Sequence, residues 1–325
     1  MIRVLAVALL AFPVALLGQA TKPPMVAFNG SGNGVLLLAQ QPASRQWNAV
    51  FADLRDSTLH PAWPFDVFVA PTALALSADG NLAHIGAADG RLAVVDSTHG
   101  SLRQILTLHE SAIVDSETHV THKLHQWEVL LTADDRGIIR LWKTGTEELL
   151  REYLLEAPAL DVEIHDQETF VVLTRNGDVF RHSLEVAVPG TLLSTTRATS
   201  ISASPLSPLV LIGNADGSVQ QYDSDLERLG GGAFYGSLPV RSVLLLTAPR
   251  FHQVLTGANL LQIDTTSELE LDRLPGNEQV AAIYGDPAGN RLVVVRPDGR
   301  VTIHRISGLW NQSGYALELT SLIHP

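Results

Sequence analysis

Three imidazoles fall within seven residues in HVTHKLH, at His119, His122 and His125. Neutral imidazole nitrogens are ligands for Zn or Cu, so this is the first candidate for metal chemistry. The spacing works against convergence. Side chains alternate along a strand, which sets His119 and His125 on one face and His122 on the other. The simpler reading is a polar strand face ending in a turn. GGGAFYG, Gly230 to Gly236, has the glycines of a phosphate cradle but neither the Lys nor the following helix. It reads as a flexible connection carrying Phe234 and Tyr235. In HPAWPF, His60 to Phe65, two prolines stiffen a segment that holds Trp63 and Phe65, rigid aromatics of the kind that anchor interfaces. Trp63, Phe65, Phe234 and Tyr235 are therefore the interaction candidates. No G-x-S-x-G, H-E-x-x-H, P-loop or paired-carboxylate pattern stands out. No cofactor is expected, and a binding role is favoured over an enzymatic one.

Composition narrows the partner. The chain has 325 residues, 46% of them hydrophobic, with 22 Lys and Arg against 34 Asp and Glu and a formal net charge of −12. A surplus of acids argues against nucleic acid, which needs clustered cations to displace counterions, and against a basic membrane-surface role. There is no Cys. Disulfides, thiolate metal sites and a Cys nucleophile are excluded.

The first twenty residues, MIRVLAVALLAFPVALLGQA, have a lone cation at Arg3, an apolar run from Val4 to Leu17, then Gly18 and Ala20. This is the layout of a secretory signal peptide. A membrane anchor fits less well, because the run is shorter than the ~18–20 residues that span a bilayer and Pro13 interrupts it. The expected mature chain begins near Thr21, is exported and has no stable membrane insertion. Export without disulfides suits a bacterial periplasm.

Whatever site exists must be positioned by a repeat. DDRGIIRLWKTG, Asp134 to Gly145, is a polar turn at a Gly followed by an alternating strand and a second turn. ADGRLAVVD, RNGDVFRHS, ADGSVQQYD and PDGRVTIHR have the same shape. Their turn glycines, Gly90, Gly137, Gly177, Gly217 and Gly299, lie 47, 40, 40 and 82 residues apart, the last being two periods. TGANLLQID fills the gap, with Asn259 standing in for Gly. An apolar run precedes each turn, which makes a β-hairpin with Asp-Gly or Asn-Gly at its corner. A further strand pattern lies before each hairpin and another after it. Four short strands in about forty residues, repeated, are the mark of a β-propeller.

GIIRLWKTG resembles the end of a WD repeat. In that family a His, a hydroxyl, an acid and the Trp form a buried hydrogen-bonded set within one blade. Carried over by position, the resemblance implies His109, Thr132, Asp134 or Asp135, and Trp142. Here His109 follows Leu108, where the family has Gly. At the Trp position the other repeats have Val95, His182, Tyr222, Asp264 and His304, so His182 and His304 are read as structural.

Six units follow Ala70, and residues 25–69 offer one more, from MVAFNG, GVLLLAQ, QWNAVFAD and PFDVFVA. The expectation is an all-β, seven-bladed propeller with four antiparallel strands per blade, in a single domain over residues 21–325. Its blades fall near 25–69, 70–108, 109–156, 157–197, 198–237, 238–276 and 277–325. The last blade is expected to take its outer strand from its own C-terminus, within Tyr315 to Ile323, with no strand exchange. The turn acids Asp89, Asp134, Asp135, Asp216 and Asp298 are read as turn chemistry, offset by Arg91, Arg136, Arg175 and Arg300. The functional expectation is an exported, monomeric module that binds or scaffolds a protein partner. The alternative is an enzyme, or an accessory to a periplasmic metalloenzyme, with a site at the channel mouth.

Overall fold

Alternating apolar runs make strands here, and a left-handed glycine at each corner folds them into hairpins. Gly137 shows why the corner must be Gly. Its φ is +88°, and a Cβ there would lie 2.5 Å from the Ala157 carbonyl oxygen, on the linker that crosses above the turn. Only a residue without a side chain fits both the dihedral and the crossing.

The protein was analysed as a computed structural model. It describes residues 24–306 and 315–318, apart from 42–43, 69, 121–127, 147, 167, 195–196, 224–227, 246–250, 258, 265–269, 274–278 and 288–290. Twenty-nine strands form seven antiparallel sheets, each a blade. Blade 1 holds β1 (Met25–Phe28), β2 (Gly34–Gln40), β3 (Trp47–Asp53), β4 (Thr58–Leu59) and β5 (Trp63–Phe65). Blade 2 begins with β6 (Pro71–Leu76), β7 (Leu82–Ala87) and β8 (Arg91–Asp96) and ends with β9 (Leu102–Thr107). Blade 3 runs through β10 (Ile113–Val120), β11 (Glu128–Asp134), β12 (Ile138–Lys143) and β13 (Glu148–Leu154). Blade 4 runs through β14 (Ala159–His165), β15 (Thr169–Thr174), β16 (Val179–Ser183) and β17 (Thr191–Ser194). Blade 5 has β18 (Ala198–Ser202), β19 (Val210–Asn214), β20 (Ser218–Tyr222) and β21 (Arg228–Phe234). Blade 6 has β22 (Val240–Leu245), β23 (Phe251–Thr256), β24 (Asn259–Asp264) and β25 (Glu270–Arg273). Blade 7 has β26 (Ala282–Gly285), β27 (Arg291–Val295), β28 (Val301–Arg305) and β29 (Tyr315–Glu318). The protein is a seven-bladed β-propeller. No helix of the described residues is long and apolar enough to cross a membrane.

A four-stranded sheet has two faces to bury, and the ring buries both. Leu36 and Leu38 of β2 enter the core shared with blade 2, while Val35 and Leu37 enter the core shared with blade 7. Seven apolar clusters fill the seven junctions between neighbouring blades. The innermost strands touch in turn around the ring, β1 to β6, β10, β14, β18, β22 and β26, and back to β1. They wall the central channel.

The first and last blades dock directly. Val293, Val295, Val301 and Ile303 of blade 7 pack with Val26, Val35, Leu37 and Ala39 of blade 1. The Tyr284 hydroxyl donates to the Pro24 carbonyl at 2.8 Å, and the Arg291 guanidinium donates to Gly32 O and Asn33 Oδ1. Strand β29 pairs with β28 of its own blade, so no strand is exchanged.

Three local expectations need correction. The outer edge of blade 1 comes from β4 and β5, both paired with β3, and not from the whole of Pro64 to Ala70. The sixth hairpin turns at Gly257, with φ +57°, and Asn259 already pairs with Thr256. This corner is tighter than the others, so the Asn needs no left-handed backbone. GGGAFYG is not a loop. Residues up to Phe234 belong to β21, which pairs with β20, because an outermost strand needs few packing side chains.

If the ring is closed by apolar docking, Ile303→Ala should lower stability by ~2–5 kcal/mol in denaturant unfolding. Leu149→Ala, on the exposed outer strand β13, should stay within ~0.5 kcal/mol.

Candidate functional site

Blade 3 carries a buried polar chain. His109 lies in the linker before β10, Thr132 and Asp134 on β11, and Trp142 on β12. Trp142 Nε1 donates to Thr132 Oγ1 at 3.0 Å, and Thr132 Oγ1 lies 2.8 Å from His109 Nε2. His109 Nδ1 lies 3.2 Å from Asp134 Oδ2, which also accepts from Ser111 Oγ at 2.9 Å. With a neutral imidazole every link is satisfied by Trp to Thr, Thr to Nε2 and Nδ1 to the carboxylate, the tautomer being assigned from the network. Burial lowers the His109 pKa despite the nearby Asp134 charge. Burial opposes ionisation of Asp134, but bonds from Ile138 N, Ser111 and Arg136 N outweigh it and hold the acid below its usual range. Asp134 is thus the acid of the set, and Asp135 is not.

The chain is structural. Every member is used by another member, and Asp134 Oδ1 also closes the hairpin through Arg136 N and Ile138 N. The same position is polar and buried in the next four blades, as Thr174, Asn214, Thr256 and Arg296. Trp142 is only half-buried, because it sits toward the outer part of the blade junction, and not fully enclosed as the family pattern implies. His182 stacks on Phe170 at 5.2 Å, and His304 Nε2 bonds Thr302 Oγ1 at 2.8 Å.

Two of the aromatic interface candidates are core residues. Trp63 and Phe65 are buried, at 6% and 2% exposure, in the core between blades 1 and 2. Trp63 Nε1 donates to Ser97 O at 3.1 Å, and its ring lies where a Cβ on Gly100 would stand, 2.4 Å away. The prolines hold β5 against β3 with the indole turned inward, so stiffness there serves packing. Tyr235 is half-buried against the junction of blades 5 and 6, and Phe234 ends β21. His119 lies on β10 and is partly buried; His122 and His125 fall outside the described residues. Among the described residues no group of three or more His, Asp and Glu is arranged to hold a metal ion. The turn acids are locally occupied, Asp89 with Arg91 and Asp298 with Arg300 at 2.7 Å each, and Asp216 with Ser218.

The channel wall offers something that the motif search missed. Five innermost strands open with a bulge, at Thr72, Val114, Leu160, Thr199 and Arg241. Three of these residues staple the ring. Thr72 donates to Ile113 O, Thr199 to Val240 O, and Arg241 to Ala281 O. In blades 3 and 4 the position is apolar instead, Val114 and Leu160, and Leu160 is 44% exposed. The residue after each bulge forms a register-matched ring of Ala73, Asp115, Asp161, Ser200 and Ser242. Two residues on come Ala75, Glu117, Glu163, Ser202 and Leu244. Blades 3 and 4 therefore set four carboxylates side by side.

Three of them serve the free edge of a neighbouring strand. Asp115 Oδ2 accepts from Val162 N at 2.9 Å, Glu117 Oε2 from Ile164 N, and Glu163 from Ala203 N. Burial pushes Glu117 up to about 8, with the Asp115 charge adding to the rise. Burial, then the neighbouring carboxylates, raise Asp161 and Glu163 well above the usual range. Burial also raises Asp115, and burial together with the Asp115 charge lifts Tyr284 of blade 7 to about 12. The sequence signal was Asp-x-Glu in the first strand of two consecutive repeats, residues 115–117 and 161–163.

Two measurements check these roles. Asp134→Ala strands four donors and should cost ~3–5 kcal/mol, the range for removing one partner of a buried charged set. Trp63→Ala should also cost ~3–5 kcal/mol in urea melts, as for emptying a large aromatic site. No protein-family model matches the chain, and no curated protein matches it.

Proposed function

We propose that this protein is an exported, WD-like propeller that binds a protein partner on the face carrying the glycine turns, at the channel mouth of blades 3 and 4. One observation carries the reading. The two bulge positions that staple nothing, Val114 and Leu160, are apolar, Leu160 is 44% exposed, and Leu154 at the end of the outer strand β13 on the same face is 78% exposed. An exposed large apolar side chain on a rigid ring is unfavourable in water unless something covers it. Glu110, Glu152 and Glu156 are exposed on the same blade, Glu110 and Glu152 paired with Arg136 and Arg140, and this acid-bearing rim favours a partner whose apolar anchor is flanked by cations. Apolar residues also reach solvent at the other end, Val186 and Val188 in blade 4 and Leu206 in blade 5, but not with the acid-lined channel below them in two adjacent blades.

Affinity capture from the source cells tests this with three baits: the wild type, Leu160→Arg and Leu206→Arg. The wild type and Leu206→Arg should retain the same stoichiometric protein, and Leu160→Arg should lose it by ~10-fold or more, as for a central anchor. Equal retention by all three would overturn the surface. Export is checked separately by intact mass: a mature chain beginning near Thr21 is expected, and a chain retaining the apolar N-terminus would contradict it.

A further inference from the structure

We propose that Asp115, Glu117, Asp161 and Glu163 form a proton-operated latch that holds blades 3, 4 and 5 together at the channel wall. The latch stands whether or not the surface above it binds a partner.

The geometry carries the argument. The bulges in β10 and β14 set Asp115 and Asp161 at the same register position of adjacent blades, where the two carboxyls act on each other. Two carboxylates offer each other only acceptors, so a proton on one of them relieves the contact. Asp115 also accepts from the Val162 N–H at 2.9 Å. Glu117 and Glu163 sit one step along the same strands, bonded to Ile164 N and Ala203 N. Asp115 and Glu117 thus join blade 3 to blade 4, and Glu163 joins blade 4 to blade 5.

Among the described residues, the strands packed against them carry no cation that stays charged at neutral pH. Among the described residues of β6, β15 and β18 there is no titratable side chain. β7 supplies His84, which burial holds neutral with a pKa of about 4. β11 supplies Glu128, bonded to Ala78 N, and Asp134, bonded to His109. β10 and β14 add His119 and His165, and β26 adds Tyr284. No Lys or Arg lies on any of these strands. As protons leave, like charges accumulate at close range on the partly buried channel wall, and separation of β10 from β14 is the available relief.

The sign follows from proton counts. Between the ordinary carboxylate range and about pH 8 the folded chain holds protons that the unfolded chain has released, so stability falls as pH rises across that window. The buried histidines His84, His109, His165 and His182 act oppositely, their lowered values removing stability only below about pH 6.5. Above that pH these four histidines no longer oppose the carboxyls.

The test is the melting temperature of the intact protein at about pH 6.5 and about pH 8.5, at constant ionic strength. The wild type should melt ~2–4 °C lower at the higher pH. Asp161→Asn keeps a donor for Asp115, and Glu117→Gln keeps an acceptor for Ile164 N, so both variants should fold. The double variant should lose most of the pH-dependent drop. No drop in the wild type, or an undiminished drop in the double variant, would overturn the latch. Should the double variant fail to fold, Asp161→Asn alone decides the matter by the same comparison, its drop at least halved if the latch holds.

Discussion

The inner edge of every blade is a row of backbone N–H and C=O groups with no strand beside it. A β-propeller cannot solve this by adding strands, because the neighbouring inner edge lies at an angle across the channel wall. An unpaired buried N–H costs free energy comparable to a lost hydrogen bond. Side chains from an adjacent blade meet the need here. Carboxylates of blade 3 cap Val162 and Ile164, Glu163 of blade 4 caps Ala203, and Ser202 of blade 5 caps Leu245. Thr118 works in the other direction, donating to Leu76 O of blade 2. Apolar docking between blades supplies most of the stabilisation, and this polar lacing fixes their mutual register.

The choice of capping group then shapes the channel. Serines cap without charge. Carboxylates cap well, since an anionic acceptor makes a stronger bond to N–H, but four of them together cannot all ionise cheaply. The same two blades give up the polar staples at their bulges for Val114 and Leu160. One side of the ring is thereby both more acidic inside and more apolar at its rim than the rest. The hydrogen-bonded set of His109, Thr132, Asp134 and Trp142 lies in the same region but consumes its own hydrogen-bonding capacity, so it braces the hairpin and leaves nothing for a ligand.

The fold was legible because its signals are local. A left-handed Gly, an alternating strand and a period near forty each follow from the backbone, and they survive even where side chains drift. The hydrogen-bonded set in blade 3 was legible by resemblance alone. Trp63 was misread because its cover, Gly100, lies in the next blade and leaves no mark in the sequence around the indole. The carboxylate quartet was missed for a similar reason. Asp115 and Asp161 are 46 residues apart in sequence and become neighbours only when two blades are set side by side in register. Asn259 was misread because a tighter hairpin moved the turn by two residues, to Gly257.

Amide hydrogen exchange at the inner edges tests the central claim most directly. Val162, Ile164, Ala203 and Leu245 have no β-ladder partner for the N–H groups that side chains cap. If those caps hold the ring, these amides exchange slowly, at rates within about tenfold of the ladder amides in β11 and β15. Exchange at the rate of the open outer edge of β9 would show that the inner edges are solvated and the lacing is not formed.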